Sequence, residues 1–227
     1  MSDEFSFDEA PLAGSLSALP STIFGDIFVE DLVQPEAPSQ QPDTLERDLA
    51  SVVLEIEAYQ SSRGWDMPLA VFALVPTARL LEESPETSDE DRAKIEATLA
   101  ASPGHLSAVE QTAIPASMSL EDILGHMAWP QDVQGAAIAA ERTTLPSSVM
   151  DGAPEDPQEL LSYLQNHPEA QQVRMVVGAV REGATWCAMR LRSKDSEENV
   201  IQGAELIPTL AEHVKATLDP IPPEDNQ

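Results

Sequence analysis

The residue types that most often carry chemistry are sparse in this chain and are not spaced for it. The four histidines, His105, His126, His167 and His213, are scattered, with no HxH or HExxH pair and no CxxC beside them. Metal-ligand spacing is therefore missing, and no metal or other cofactor is expected. Ten glycines include neither GxGxxG nor GxxxxGK[ST], so the usual phosphate cradles are excluded. Cys187 is the only thiol, and in an alternating strand it shares a face with Met189 and Leu191, the setting of an inert core cysteine. No GxSxG elbow nominates a serine. No catalytic residue is assigned.

Carboxylates are abundant, and abundance makes chance pairs common. Glu82-Glu83, Asp89-Glu90-Asp91 and Glu197-Glu198 read as solvated runs. Asp66 and Glu141, flanked by apolar sequence, are the acids with a prospect of partial burial, either as structural partners of Arg63 and Arg142 or as pocket groups. An enzyme or small-ligand site, if there is one, is expected near Trp65, Asp66, Trp129 and Glu141.

A different constellation points to partner binding. Arg174, Arg181, Arg190, Arg192 and Lys194 are five of the chain's 12 basic residues and fall within one hairpin-like stretch. With a two-residue turn, Arg181 pairs with Ala184, and Arg181, Trp186, Arg190 and Arg192 share one face with Met175 and Val177. Trp, Met and Arg together are the composition of an interface for an acidic, apolar peptide. A three-residue loop would shift the pairing and break this set. The competing reading is a sheet edge whose arginines cover neighbouring acids.

A candidate ligand lies in the same chain. Residues 1–42 hold no Lys or Arg and are rich in Pro, Ser and Gln, the composition of a disordered acidic arm. Within it, Phe24, Ile27, Phe28 and Leu32 recur at helical spacing, so a short helix over 22–33 is expected. It either docks as a helix in a groove or packs on its own domain. Docking on the hairpin face would give autoinhibition or self-association; otherwise the arm reaches another protein.

The elements that must position these residues follow from periodicity. Asp43 and Glu46 have capping-box spacing ahead of Leu45, Leu49, Val52, Val53, Ile56 and Tyr59, a helix closed by Gly64. The apolar run 69–75 between two prolines reads as a buried strand. Short helices are expected at 77–82, 88–101 and after Ser119. Residues 133–144 read as a strand, with helix as the alternative because of the alanines. Pro157 opens a helix after Asp156, ending at His167-Pro168. Residues 173–180 and 184–192 flank Glu182-Gly183 as a hairpin, and Leu206, Leu210, Val214 and Leu218 stripe a last helix. The expected fold is α+β: a mainly antiparallel sheet of about four strands with flanking helices, one domain over 43–219 and a tail from 220.

Gly64-Trp65-Asp66 leading into Val71–Ala78, Ala128-Trp129-Pro130 leading to Ala140-Glu141-Arg142, and Arg174-Met175-Val176 through Cys187–Arg192 resemble segments of a small actinobacterial family of conserved hypothetical proteins, named after a propionibacterial locus. The likeness spans about residues 44–219. It implies a cytoplasmic protein and carries no mechanism with it, and the arm stands outside the family's pattern.

Charge narrows the partners. Forty acidic against 12 basic residues give a net charge of −28, a field that repels nucleic acid and anionic lipid. The N-terminus is acidic where a secretory leader is basic, and no stretch approaches the roughly 18 apolar residues of a membrane span. The sequence is thus read as a cytoplasmic, non-enzymatic interaction or adaptor module, with protein partners or self-association through the arm or the hairpin.

Overall fold

The computed structural model describes residues 43–219 except 113, 115–117, 146–148, 150–151 and 155. The expected helix over 22–33, with Phe24, Ile27, Phe28 and Leu32, and the tail from 220 lie outside the described residues. Helix α1 (Thr44–Arg63) begins with the anticipated capping box: Glu46 N donates to Asp43 Oδ1 at 2.8 Å and Asp43 N to Glu46 Oε2 at 3.2 Å. Strand β1 (Ala70–Pro76) runs into α2 (Thr77–Glu83), followed by α3 (Asp89–Ala101), β2 (Leu106–Glu110) and α4 (Leu120–His126). Then come β3 (Gly135–Thr144), α5 (Pro157–Asn166), β4 (Gln171–Val180) and β5 (Thr185–Leu191). Two 3-10 turns, Arg192–Lys194 and Glu197–Asn199, lead to β6 (Ile201–Gly203) and α6 (Pro208–Ala216).

All strands join one antiparallel sheet of six in the order β2-β1-β3-β4-β5-β6. The α+β architecture and the antiparallel sheet match expectation; the count of about four strands does not. The additional strands are the two edges, β2 and β6. Of β2 only Leu106 is buried, and β6 is three residues long, so neither has the apolar run that two-sided burial imposes on an inner strand. No helix among the described residues is long and apolar enough to cross a membrane.

Alternation splits the core in two. Val71, Ile138, Met175, Val177, Cys187 and Met189 face α4 and α6. Phe72, Leu74, Ala137, Ala139, Val176 and Ala188 face α1, which supplies Leu49, Val52, Val53 and Ile56. The alanines of β3 are strand residues because this inner strand is covered on both faces and paired on both edges, a tertiary demand that outweighs propensity. Gly178 lets α1 lie close: a Cβ there would meet Val53 Cγ2 at 2.7 Å and Leu49 Cδ1 at 3.2 Å.

One helix face departs from the apolar pattern. Tyr59, expected inward, is largely exposed and donates its hydroxyl to Glu110 Oε2 at 3.1 Å. The inward positions of the last turns belong to Glu57 and Gln60. A second departure is the hairpin loop. Val180 N donates to Ala184 O at 3.0 Å, so Arg181, Glu182 and Gly183 form a three-residue loop, with Gly183 at φ 103°. The two-residue pairing of Arg181 with Ala184 is thereby replaced.

Candidate interaction site

Strand register brings one charged row together. Glu141 on β3 lies opposite Arg174 on β4, and Arg174 opposite Arg190 on β5, all on the α1 face. Two arginines directly across from one another repel unless each has its own anion. Glu57 of α1 grips Arg190 through two bonds, Nε to Oε1 at 2.6 Å and Nη2 to Oε2 at 2.7 Å. Glu141 Oε1 accepts from Arg174 Nε at 3.1 Å and Nη2 at 2.8 Å. The side chains of Arg190 and Glu57 are only 5% and 2% exposed, so this pair is effectively inside the protein, while in the other pair Arg174 is buried and Glu141 reaches the surface in part. The hydrogen bonds that Arg190 donates to Glu57 hold its guanidinium above its ordinary pKa, against the opposing effect of burial.

Gly64-Trp65-Asp66 closes over this row after α1 ends. Gly64 at φ 92° and Asp66 at φ 64° both take left-handed conformations, and Asp66 is the sole described non-glycine to do so. The loop is pinned at every residue. Gly64 O accepts from Arg174 Nη2, Trp65 Nε1 donates to Asp195 Oδ2 at 2.8 Å, and Asp66 N donates to Glu141 Oε2 at 2.7 Å. The Asp66 carboxylate takes both terminal nitrogens of Arg192, at 2.9 and 3.1 Å. That hydrogen bond is the main cause of a raised Arg192 pKa. The half-buried Trp65 ring lies 4.4 Å from the Arg174 guanidinium carbon and 5.6 Å from that of Arg192, within cation–π range of both.

Beside Trp65 is a small recess of about 10 Å³, lined by Gln60, Met67, Pro68, Ala139, Ala140, Glu141 and Arg174. Gln60 Nε2 and Arg174 Nη1, on two of these residues, are buried without a hydrogen-bond partner among the described residues. Buried donors are nearly always satisfied, so the two orphans set this part of the core apart from ordinary packing.

The residues singled out from sequence are distributed as follows. Trp65, Asp66 and Glu141 do meet, whereas Trp129 lies beyond the sheet, its Nε1 donating to Thr217 Oγ1 at 3.0 Å. Trp186 and Arg190 share the α1 face; Met175 and Val177 are on the other. Arg181 leaves the ladder and donates to carbonyls of Val133 at 2.8 Å, Pro130 at 2.9 Å, Trp129 at 3.1 Å and Leu218. Arg192 stands at the end of β5, at the rim of the Trp65 corner. The hairpin arginines are therefore not a free basic face. Around Trp65, Arg174, Arg190 and Arg192 meet Glu57, Asp66, Glu141 and Asp195, a balance slightly negative overall. Sequence reasoning missed Glu57, Gln60 and Asp195, and counted Arg174 among the hairpin bases without placing it on the shared face. The usable signal was polar residues recurring at 57 and 60 on the buried stripe of α1, and Arg174 inside an apolar strand.

Other reactive side chains are occupied. His105 Nδ1 lies 2.8 Å from Thr77 Oγ1 and its Nε2 3.3 Å from Glu55 Oε1, while Thr77 Oγ1 is 2.7 Å from Ser107 Oγ. The residue types resemble a nucleophile, base and acid. The Thr77 hydroxyl, however, is buried at the β1–α2 junction, and the chain ties β2 to α2. Cys187 is fully buried, which pushes its thiol up to about 11. Among the described residues, no three His, Cys, Asp or Glu side chains are grouped to hold a metal ion.

Fold and corner together define a single-sheet α+β domain whose distinctive feature is a salt-linked tryptophan loop over one sheet face. The sequence profile of the PPA1309-like protein family matches residues 49–219, and the chain belongs to that family. That span includes Glu57, the whole Trp65 loop and the arginine row. No curated protein matches the chain. No solved structure matches it either.

Proposed function

We propose that this chain is a non-enzymatic protein-interaction module of the cytoplasm whose recognition surface is the Trp65 corner, not the hairpin face as a whole. The observation that carries the reading is the Gly64–Asp66 loop. Its backbone takes a positive φ at Gly64 and again at Asp66, on either side of Trp65, and each residue of it is fixed by a charged side chain. Strained, over-determined backbone concentrates where a side chain must be presented in one pose. The side chain presented is a tryptophan flanked by arginine, two of the residue types enriched among those that dominate protein interfaces. Arg192, at 42% exposure, and the exposed Asp66 and Pro68 give the corner a polar rim.

The near balance of charge at the corner favours a partner segment that brings hydrogen-bond acceptors and apolar side chains over a polyanion. The strongly acidic composition likewise disfavours nucleic acid. Phe24, Ile27, Phe28 and Leu32 enter the proposal as a second contact, reaching either the corner of the same chain or copy, or a different protein.

The reading is tested by placing a photo-crosslinking residue at Pro68 and, as control, at the exposed Glu96 on α3. In the source cell's extract, the Pro68 position is expected to yield a discrete protein adduct that the Glu96 position does not. Equal labelling from both positions, or none from Pro68, refutes it.

A further inference from the structure

Strand β2 is one edge of the sheet, and its outer side pairs with no described strand. Its register with β1 is continuous from Pro76 opposite Leu106 to Phe72 opposite Glu110. Two flanking bonds lengthen the ladder to residues 105–111: Thr77 N donates to His105 O at 3.0 Å, and Gln111 N to Val71 O at 2.8 Å. These bonds turn the backbone of 105, 107, 109 and 111 inward. By alternation the N–H and C=O groups of Leu106, Ala108 and Glu110 point outward. Folded proteins usually guard such an edge with lysine, proline, a bulge or extreme shortness. β6, at the opposite edge, is guarded by its length of three residues. Residues 105–111 contain no Lys and no Pro, and the pairing has no bulge.

Exposed apolar side chains gather at the same edge. Among the described residues the exposed large hydrophobics are Val109 and Tyr59, at 40% and 47%. Val109, opposite Ala73, lies on the sheet face of Val71, and Tyr59 stands over the other face with its hydroxyl on Glu110.

We infer that β2 is a self-association edge: two copies of this chain join β2 to β2, antiparallel, about a two-fold axis at Val109. That register sets Ala108 of each copy opposite Glu110 of the other, and each such pair exchanges both of its N–H···O bonds. Val109 then meets the second copy's Val109 as a non-hydrogen-bonded pair, Cα atoms about 4.5 Å apart, which covers the exposed side chain with its own counterpart. A register centred on Ala108 would set Val109 against Ser107 and forgo that contact. The two Glu110 carboxylates approach across the axis, but each is already bonded to Arg63 at 2.9 Å and to Tyr59 at 3.1 Å. Charge also selects a second copy over the chain's own residues 1–42. Those hold no Lys or Arg and would add carboxylates beside Glu110, whose base Arg63 is already engaged. Two chains of net charge −28 repel as a whole, so salt that screens the repulsion strengthens the pairing, the reverse of an ion-paired contact. The Trp65 corner takes no part in this interface.

Sedimentation equilibrium of the full chain at about 0.02 and 0.3 M salt tests it. A monomer–dimer equilibrium that tightens at the higher salt is expected. Ala108→Pro removes only an outward N–H and should weaken dimerisation at least about tenfold with the circular dichroism unchanged. Val109→Lys, at an exposed position, should do the same without touching the backbone. Under mild oxidation Val109→Cys should form an intersubunit disulfide, its Cα separation lying within bonding range, while the buried Cys187 does not compete. A chain that stays monomeric at millimolar concentration in high salt overturns the inference. So does a dimer that weakens with salt, or one that either folded variant leaves intact. Disulfide capture of Val109→Cys no faster than that of Glu96→Cys, on exposed α3, overturns it as well.

Discussion

Removing the carboxylate of Glu57 should be the most damaging single change to the fold. Its partner Arg190 would stay charged, since an arginine does not neutralise at accessible pH. Opposite charges about 4 Å apart at an effective dielectric of about 20 attract by about 4 kcal/mol. Their side chains are nearly inaccessible, and the next strand places Arg174 directly opposite Arg190. Glu57→Leu is therefore expected to lose about 3–5 kcal/mol, as breaking one side of a buried pair does. That is a large part of an ordinary domain stability of about 5–15 kcal/mol. Glu57→Leu combined with Arg190→Met, apolar on both sides, should recover most of the loss. Urea unfolding followed by circular dichroism at neutral pH, run as a double-mutant cycle, measures the coupling. A single-variant cost below about 1 kcal/mol, or a double variant as unstable as the sum of the two singles, would refute the reasoning.

The other predictions concern separate parts of the molecule. Gly178→Ala should lose about 1–3 kcal/mol in the same unfolding assay, because its methyl meets Val53 at 2.7 Å, and Val53→Ala should restore part of that. Asp66→Gly should be neutral to stabilising despite losing the exposed Arg192 pair, while Asp66→Val should destabilise by about 1 kcal/mol or more, since only glycine relieves φ 64°. Cys187 makes stability fall with rising pH. Its folded-state pKa is raised from 9.0 to about 11, so its contribution is whole below pH 9 and is lost between pH 9 and 11. Relative to Cys187→Ala, the native protein should therefore lose about 2–3 kcal/mol of stability over that window, read from paired denaturation curves. The thiol should also resist a disulfide reagent at pH 8 until the protein is unfolded.

How far the sequence speaks depends on which force shapes each element. α1, β1, β4 and β5 are legible because capping chemistry and two-sided burial leave direct marks, as in Asp43 with Glu46 and in the run Val71–Val75. The edge strands β2 and β6 leave none, since pairing on one side requires backbone and little apolar side chain. The corner is half legible. Asp66 and Glu141 can be picked out by their apolar flanks, and they do meet. Their true partners were misassigned, because Arg192 and Arg174 arrive from strands whose order the sequence does not give. Trp129 has the same flanking signature yet serves the opposite core, where it caps Thr217. The hairpin constellation turned on one residue of loop length. With three residues in the loop, Arg181 becomes a clamp for four carbonyls and leaves the face it was expected to share.

The central claim is that Trp65 is presented for a partner. Its most direct test is the affinity of the crosslinked partner, once purified, for the native chain and for Trp65→Ala, measured by calorimetry at one salt concentration. The account predicts a loss of about 2 kcal/mol or more, roughly thirtyfold in Kd, with the domain still folded by circular dichroism. An affinity within about twofold of the native value would contradict it and leave the Trp65 loop a structural lid on the arginine row.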